Sequence, residues 1–210
     1  MKGSIIHELP RYDRFLGGKG GLEVGFPWLT LGAIVALEQS VFLADATHVA
    51  PKRVLEFGSG GSTLFFARRA DHVESVETDL SWFPRTAKAL VLNGLQEKVC
   101  LTCCTNPMSE AYVASLPDRT FDLLLVDHAA DETVTDRGAR RRFSRLPLAR
   151  IGLRKLRSDG WLVVDNYTLH GMEHFDYTGW DVWIFDDMRY SGRGTLIARR
   201  SSAAWIALRR

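Results

Sequence analysis

Short strand-like runs alternate with helical segments through the middle of the sequence, and this alternation constrains the fold more than any other feature. The run FDLLLV at 121–126 is apolar almost throughout, which is typical of a parallel strand covered on both faces. Runs of this kind predict strands at 54–57, 72–77, 99–104, 121–126 and 161–164. Helical spacing and helix-stop residues predict helices at 30–45, with Thr30 as its N-cap, and at 62–69, 80–93 and 138–157. The alternation indicates an α/β fold with a doubly wound sheet.

The C-terminal part of the chain has a different pattern. Strand-like runs at 181–185 (DVWIF), 194–198 (GTLIA) and 204–208 (AWIAL) follow one another with turns between them. Parallel strands need a long crossover connection, and no helix long enough for one is predicted here, so these strands are expected to pair antiparallel. The sequence therefore predicts a mostly parallel sheet with an antiparallel C-terminal edge.

The composition is that of one ordinary globular domain. The chain has 210 residues, 46% of them apolar, and a formal net charge of +2. A charge so close to zero does not favour nucleic acid or an anionic membrane as a partner. The longest apolar run, at 29–37, is too short to span a bilayer, and the N-terminus lacks the apolar core of a signal peptide. The three cysteines do not have the spacing of a zinc site. Together, these features predict a cytoplasmic protein.

A glycine-rich turn follows the first predicted strand, within VLEFGSGGST at 54–63. In an open parallel sheet, ligands bind beyond the carboxyl ends of the strands, so the turn from Gly58 to Ser62 is expected to border a ligand crevice. The turn has the first two glycines of a dinucleotide fingerprint, at Gly58 and Gly60, but Thr63 where a small residue is required. This departure disfavours an NAD-type oxidoreductase, which stays as an alternative.

Two carboxylates beside the turn narrow the choice of nucleotide. Glu56 precedes the first glycine and would repel a pyrophosphate, whereas it would attract the cationic groups of S-adenosylmethionine. Glu77 ends the second predicted strand about twenty residues beyond the glycines, where a carboxylate can accept hydrogen bonds from ribose hydroxyls. Both positions favour S-adenosylmethionine as the cofactor.

The motif EFGSGGS at 56–62 resembles the E/D-x-G-x-G-x-G motif of the class I S-adenosylmethionine-dependent methyltransferases, with Ser62 in place of the last glycine. SVETD at 75–79 resembles the second motif of that family. The resemblance implies a Rossmann-like, seven-stranded sheet in a single methyltransferase domain at 28–210. The entry segment at 1–27 is rich in glycine, with GGKGG at 17–21, and this composition indicates a segment that can close over the site as a lid. The cofactor-binding residues that the resemblance implies are Glu56, Gly58, Ser59, Gly60, Ser62, Thr63, Glu77, Asp127 and His128.

Oxygen-bearing side chains follow the fourth and fifth predicted strands. Asp127 comes after the fourth strand, and Asp165 and Asn166 come after the fifth. If the two strands are neighbours, they lie ~4.8 Å apart and these side chains can converge at one edge of the crevice. Two carboxylates and an amide oxygen suit Mg²⁺ or Ca²⁺ as ligands. The trio resembles the metal site of the catechol, caffeoyl-CoA and macrocin types of O-methyltransferase, in which His128 would lie against the adenine.

The general base is the main departure from that resemblance. The lysine that these enzymes carry three residues after the first aspartate is Ala130 here. Asp131, His128 and His170 are the possible substitutes, and His170 is favoured because imidazole titrates near neutral pH. Asp127, His170 and Asp131 are therefore the predicted catalytic residues, and an enzyme that needs no metal stays as an alternative.

The sequence indicates the chemical class of the methyl acceptor but not its identity. The chain lacks the N/D-P-P-Y/F sequence with which the resembling amino-methylating enzymes hold a planar nitrogen, so a hydroxyl of a small molecule is the predicted acceptor. Nine basic residues lie between 137 and 157, and they predict either a solvated helix face or a site for an anionic substrate, with RNA less favoured. A homodimer and a non-catalytic cofactor-binding module stay open.

Overall fold

A seven-stranded mixed sheet forms the centre of the protein in a computed structural model. The structure describes residues 21–43, 50–105, 108–128, 131–133, 142–186 and 194–201, with the backbone alone at 23, 24, 131–133, 142 and 143. The strands of the sheet are β1 (Arg53–Phe57), β2 (His72–Glu77), β3 (Val99–Cys103), β4 (Phe121–Val126), β7 (Leu156–Asp165), β8 (Trp180–Phe185) and β9 (Thr195–Arg200). A separate antiparallel pair consists of β5 (Asp131–Thr133) and β6 (Arg142–Ser144).

The order of the strands creates a crevice at one edge of the sheet. Across the sheet the order is β3-β2-β1-β4-β7-β9-β8. The first five strands in this order are parallel, and β9 runs antiparallel to both of its neighbours. The chain adds β2 and β3 on one side of β1 and returns to the other side with β4, so the order reverses between β1 and β4. This topology confirms the predicted doubly wound, Rossmann-like sheet with an antiparallel C-terminal edge.

Successive side chains of β4 enter two different parts of the core. Leu123 and Leu125 pack in one hydrophobic cluster, whereas Leu124 and Val126 pack in a second cluster, and all four are fully buried. Because neighbouring residues of a strand point to opposite faces, a strand covered on both faces needs a continuous apolar run. The sequence FDLLLV meets that need, and the predicted bounds of this strand are confirmed.

Helices contribute to both core clusters. The helices are α1 (Gly21–Val24), α2 (Leu31–Ala36), α3 (Gly61–Ala67), α4 (Phe83–Leu92), α5 (Met108–Ser115) and α6 (Leu146–Lys155). A π-helical turn at Leu37–Phe42 continues α2, and short 3₁₀ turns lie at Gln96–Lys98 and Met172–His174. α2 and α3 pack in the cluster of Leu123, while α5 and α6 pack in the cluster of Leu124. The sheet is therefore a middle layer between helices.

The start of α2 differs from its prediction in one respect. Thr30 occupies the N-cap position, but its side chain makes no capping hydrogen bond. Its backbone amide donates instead to the hydroxyl of Thr195 over 3.1 Å. A residue of β9 thus holds the beginning of the helix, and no local sequence pattern could indicate this contact.

The bounds of other helices were set by neighbouring elements. α6 begins at Leu146 rather than at 138, because residues 142–144 form β6. α4 begins at Phe83 rather than at 80, with a proline in its first turn, where the missing amide costs no helical hydrogen bond. The sequence does not predict α5, because Val113 is the one apolar residue among its two buried positions and a single residue makes no hydrophobic stripe.

Several predictions concern residues outside the described part of the chain. These are the segment 1–20, Ala130, Arg137, Arg140, Arg141 and the strand expected at 204–208. Within the described residues, no helix has both the length and the apolar character that crossing a membrane requires.

Candidate active site

A cavity of about 430 Å³ lies at the carboxyl ends of the parallel strands. Residues that follow β1, β2, β4 and β7 form its wall, together with the N-terminal segment around α1. The lining residues are Gly58, Ser59, Gly60, Gly61, Ser62, Glu77, Asp79, Trp82, Asp127, Asp165, Asn166, Gly21, Leu22, Phe26 and Trp28. The cavity therefore occupies the crevice that the strand order predicts.

The glycine turn is pressed between two other parts of the chain. A Cβ atom on Gly58, which has φ +87°, would lie 2.6 Å from the carbonyl oxygen of Asp127. A Cβ atom on Gly61 would lie 1.8 Å from the carbonyl oxygen of Phe26 and 2.6 Å from that of Gly21. Gly61 was not among the predicted binding residues, and it is what allows the N-terminal segment to rest on the turn.

Glu77 holds the turn through its carboxylate. Oε2 accepts hydrogen bonds from the backbone amide and the hydroxyl of Ser59, over 2.8 and 2.6 Å. Oε1 accepts from the backbone amides of Thr78 and Asp79, over 2.8 and 2.9 Å. A carboxylate has about four acceptor positions, so a ribose hydroxyl would share or replace one of these protein donors.

Glu56 lies beneath the turn and does not line the cavity. Its Oε2 accepts hydrogen bonds from the hydroxyls of Thr63 and Ser75, each over 2.7 Å, and Oε1 has no partner among the described residues. Burial raises the pKa of Glu56 to about 7, although the hydroxyls of nearby residues oppose this shift. Thr63 in turn accepts from the amide of Gly60 over 2.8 Å, which links Glu56 to the turn.

Trp82 is a lining residue that sequence reasoning missed. Its indole Nε1 donates a hydrogen bond to the carbonyl oxygen of Ser59, and the guanidinium of Arg85 stacks 3.9 Å from its ring centre. Trp28 also lines the cavity, with half of its surface exposed. Tyr167 and Tyr177 pack against the hydrophobic core.

Asp127, Asp165 and Asn166 meet in the cavity wall, as their strand ends predicted. β4 and β7 are parallel neighbours, so the residues that end them lie at the same edge. Asp165 is buried, and its Oδ1 accepts from the hydroxyl of Thr195 over 2.9 Å while its Oδ2 accepts from the amide of Asn166 over 2.5 Å. Both carboxylate oxygens of Asp165 are therefore engaged with the protein.

Arg145 lies directly behind this wall, at the N-cap of α6. Its side chain is 7% exposed; Nη1 donates to the backbone carbonyl of Asp165 over 2.8 Å, and Nη2 lies 3.4 Å from Oδ1 of Asp127. Sequence reasoning missed this role, because nothing local distinguishes Arg145 from the other arginines of the basic run. The exposed Arg150 on the same helix shows how differently two members of the run are placed.

Burial dominates the electrostatics of the wall. It raises the pKa of Asp127 well above its usual value, the nearby Asp165 raises it further, and Arg145 offsets part of the shift. Burial also raises the pKa of Asp165 to about 6, against the hydrogen bond from Thr195. Two carboxyl groups with elevated pKa values thus face one cavity beside a single guanidinium.

These contacts do not suit a divalent cation. A divalent cation between Asp127 and Asp165 would stand close to the guanidinium of Arg145, which lies 3.4 Å from Oδ1 of Asp127 and would repel it. Each carboxylate oxygen of Asp165 also has one of its acceptor positions taken by a protein donor. In the parts of the chain that the structure describes, no three His, Cys, Asp or Glu residues are grouped to hold a metal; the predicted trio contains two such residues and the amide of Asn166. Asp127, Asp165 and Asn166 line one cavity, and their side chains make hydrogen bonds with one another, with Thr195 and with Arg145.

His128 and His170, predicted to bind the adenine and to act as the base, are not among the residues that line the cavity. His128 is fully buried with its ring edge-to-face on Phe57 at 5.8 Å, and burial lowers its pKa to about 3. His170 is not a lining residue; it has φ +57°, and its carbonyl accepts a hydrogen bond from the amide of Arg145. Burial, and then Arg145, lower the pKa of His170. Asp131 begins β5, and its side chain is outside the described part.

Comparison with known proteins gives matches at the level of structure. Neither models of known protein families nor curated protein sequences match the chain. Among solved structures, a proposed O-methyltransferase from Klebsiella pneumoniae matches with a TM-score of 0.58 and 18% identity, over 75% of this chain and 84% of the other. A proposed caffeoyl-CoA O-methyltransferase from Staphylococcus aureus matches with a TM-score of 0.55 and 15% identity, over 93% of this chain and 100% of the other.

A third match was solved with a bound ligand. The O-methyltransferase TomG from Streptomyces achromogenes, in complex with S-adenosylmethionine, has a TM-score of 0.54 and 17% identity, over 72% of this chain and 74% of the other. The chain shares the fold of these methyltransferases. At such low identity the methyltransferase fold alone follows, and the chemistry has to be argued from the cavity.

Proposed function

We propose that the protein transfers a methyl group from S-adenosylmethionine to a hydroxyl of a small molecule. The observation that carries the proposal is the charge of the cavity: every charged side chain among its lining residues is acidic, namely Glu77, Asp79, Asp127 and Asp165. Such a cavity attracts a cofactor with a sulfonium and an ammonium group, and it repels the pyrophosphate of a dinucleotide. Among the residues that the structure describes, none that lines the cavity is basic, which weighs against NAD.

The turn and Glu77 would hold the cofactor. Glu77 borders the cavity at the end of β2, where its carboxylate can accept a hydrogen bond from a ribose hydroxyl. The glycine turn lets the backbone approach the cofactor closely, and Glu56 with Thr63 supports the turn from below. Trp82 and Ser59, joined through the indole hydrogen bond, would form one wall for the nucleoside.

Asp127 is the proposed proton acceptor. During transfer, the hydroxyl oxygen forms a bond to the methyl carbon, and the carbon–sulfur bond breaks with its electron pair staying on sulfur, which yields S-adenosylhomocysteine. The hydroxyl proton has to leave, and Asp127 is a lining carboxylate. Among the described residues, its side chain makes one hydrogen bond, the long one from Arg145. His170, the base that the sequence favoured, does not line the cavity. Positioning of the acceptor beside Asp127 would supply the remaining acceleration.

The cavity also limits the acceptor. Its volume of about 430 Å³ is within the range of small-molecule sites and leaves limited space beside a bound cofactor. The acidic lining favours a neutral or cationic acceptor over the anionic one that the basic run suggested. Trp28, half exposed, offers a flat apolar surface for an aromatic ring.

Calorimetric titration with S-adenosylmethionine, S-adenosylhomocysteine and NAD tests the cofactor. We expect the first two to bind and NAD to give no heat above dilution; binding of NAD alone would contradict the proposal and favour an oxidoreductase. A mass-spectrometric assay with phenols, catechols and primary amines then tests transfer. Products heavier by one methyl group on oxygen are expected, whereas cofactor binding with no transfer to any acceptor would favour a non-catalytic module.

A further inference from the structure

Arg145 connects the ends of two neighbouring strands at the back of the cavity wall. One arm of its guanidinium bonds the last carbonyl of β7, at Asp165, and the other faces the carboxylate of Asp127 just after β4. Its own backbone amide donates to the carbonyl of His170 over 2.7 Å. Arg145 is therefore held through both arms of its guanidinium and through its backbone amide, and its side chain is almost inaccessible to water.

A guanidinium in this position is a permanent positive charge. Arginine side chains in proteins carry a fixed positive charge. It partly balances Asp127 and Asp165, and in a buried setting this balance is stronger than in water. A divalent cation bound to the same carboxylates would stand close to this fixed charge and be repelled by it.

We propose that Arg145 takes the electrostatic place of a divalent cation in this site, orienting the carboxylate of Asp127 toward the acceptor and making methyl transfer independent of metal. The inference rests on the proposed function, because it assigns Arg145 a role in that reaction. Arg145 itself exchanges no proton or bond: the acceptor proton goes to Asp127, and the electron pair of the broken carbon–sulfur bond stays on sulfur. Arg145 is thus a positioning residue.

The wild-type protein provides the first test. In calorimetric titrations with CaCl₂ and with MgCl₂, in the presence of S-adenosylhomocysteine, we expect no saturable binding. Excess EDTA should change neither the affinity for S-adenosylhomocysteine nor the rate of transfer to the best acceptor. Saturable cation binding that Asp165→Asn removes, or transfer that stops in EDTA and returns with Mg²⁺, would overturn the inference.

Two substitutions of Arg145 separate its charge from its structural contacts. Arg145→Gln removes the charge and keeps an amide donor for the carbonyl of Asp165. We expect this variant to bind Ca²⁺ saturably, which the wild type should not do, since the repelling charge is gone. Arg145→Lys keeps the charge, so it should still exclude Ca²⁺. The matched control is Arg150→Gln, on the exposed face of α6, which should behave as the wild type.

Steady-state kinetics distinguish a positioning role of Arg145 from a purely structural one. Arg145→Gln should lower kcat more than it raises the KM for S-adenosylmethionine, and Arg145→Lys should recover part of kcat. A folded Arg145→Gln protein that shows no saturable Ca²⁺ binding would overturn the inference; if that variant does not fold, the wild-type titrations decide. Cation binding is measured without any turnover, so a protein that failed to transfer methyl groups would refute the proposed function while the cation titrations still reported on Arg145.

Discussion

The carboxylate of Glu77 accepts two hydrogen bonds from Ser59, one from the backbone amide over 2.8 Å and one from the hydroxyl over 2.6 Å. The pair joins the end of β2 to the glycine turn after β1. A residue expected to bind the cofactor therefore also shapes the loop beside it. Substitution of Glu77 should act on the cofactor site both directly and through the turn.

Replacement of Glu77 by Ala should lower the affinity for S-adenosylhomocysteine. Hydrogen bonds to a charged group contribute about 1.5–3 kcal/mol, so a loss of roughly 10- to 100-fold is expected by calorimetry. The exposed Glu97 gives the matched control, since Glu97→Ala removes the same charge far from the turn. Equal affinities for the two variants would show that Glu77 does not take part in binding.

Replacement of Gly61 by Ala should destabilise the protein and loosen the N-terminal segment. The added Cβ would lie 1.8 Å from the carbonyl oxygen of Phe26, which is backbone and cannot turn aside. Overpacking of this kind costs about 1–3 kcal/mol, measurable as a lower urea midpoint. Gly94→Ala is the comparison, because its Cβ meets nothing within 4 Å and only the left-handed backbone, at φ +65°, resists it. A smaller effect at Gly61 than at Gly94 would contradict the packing argument.

Replacement of Glu56 by Gln should change how stability depends on pH. The pKa of Glu56 is raised from 4.5 to about 7 in the folded protein. As the pH rises through this range, the unfolded chain releases its proton first, so wild-type stability falls; above 7 both states are ionised and the contribution levels off. The fall amounts to about 3 kcal/mol, which Glu56→Gln removes.

Urea unfolding at several pH values measures this difference. The variant should gain stability relative to the wild type as the pH rises from 4.5 through 7. Glu97→Gln, at an exposed position, should follow the wild-type curve. Parallel curves for wild type and Glu56→Gln would mean that Glu56 titrates normally in the folded state.

Replacement of Lys155 by Met should destabilise the protein, although the residue belongs to the basic run. The ammonium of Lys155 is buried and donates to the carbonyls of Ala114 and Leu116, over 2.9 and 2.6 Å. Loss of the donor leaves these carbonyls at the end of α5 without their charged partner, at a cost of about 3 kcal/mol in unfolding free energy. Arg154→Met, at the exposed neighbouring position, should change the melting temperature little, and equal melting temperatures for both variants would refute this role.

Local sequence patterns were sufficient to predict those features that depend on a few neighbouring residues. The bounds of β2 and β4 agree with their predictions, and the turn from Gly58 to Ser62 lies where a ligand crevice was expected. Asp127 and Asp165 share a cavity because each ends a strand and those strands are neighbours. Strand alternation and strand ends are properties of short segments, so one sequence can indicate them.

Contacts between distant segments were not predictable in this way. Asp165 lies 20 residues after Arg145 in the sequence, and Asp127 lies 18 residues before it. Only the packing of α6 onto the sheet brings the guanidinium of Arg145 to both residues. The same holds for Gly61 beneath the carbonyl of Phe26 and for His170, which the chain turns away from the cavity.

The sequence by itself determined the sheet, the glycine turn and the acidic side chains at the strand ends, because strand periodicity and turn chemistry act over a few residues. Only the tertiary structure decided which of those acids face the cavity, which hydrogen bonds they make, and which arginine lies behind them. These choices depend on how α6, the N-terminal segment and β9 pack onto the sheet. Burial then raises the pKa values of Glu56, Asp127 and Asp165, and burial is a property of the whole fold.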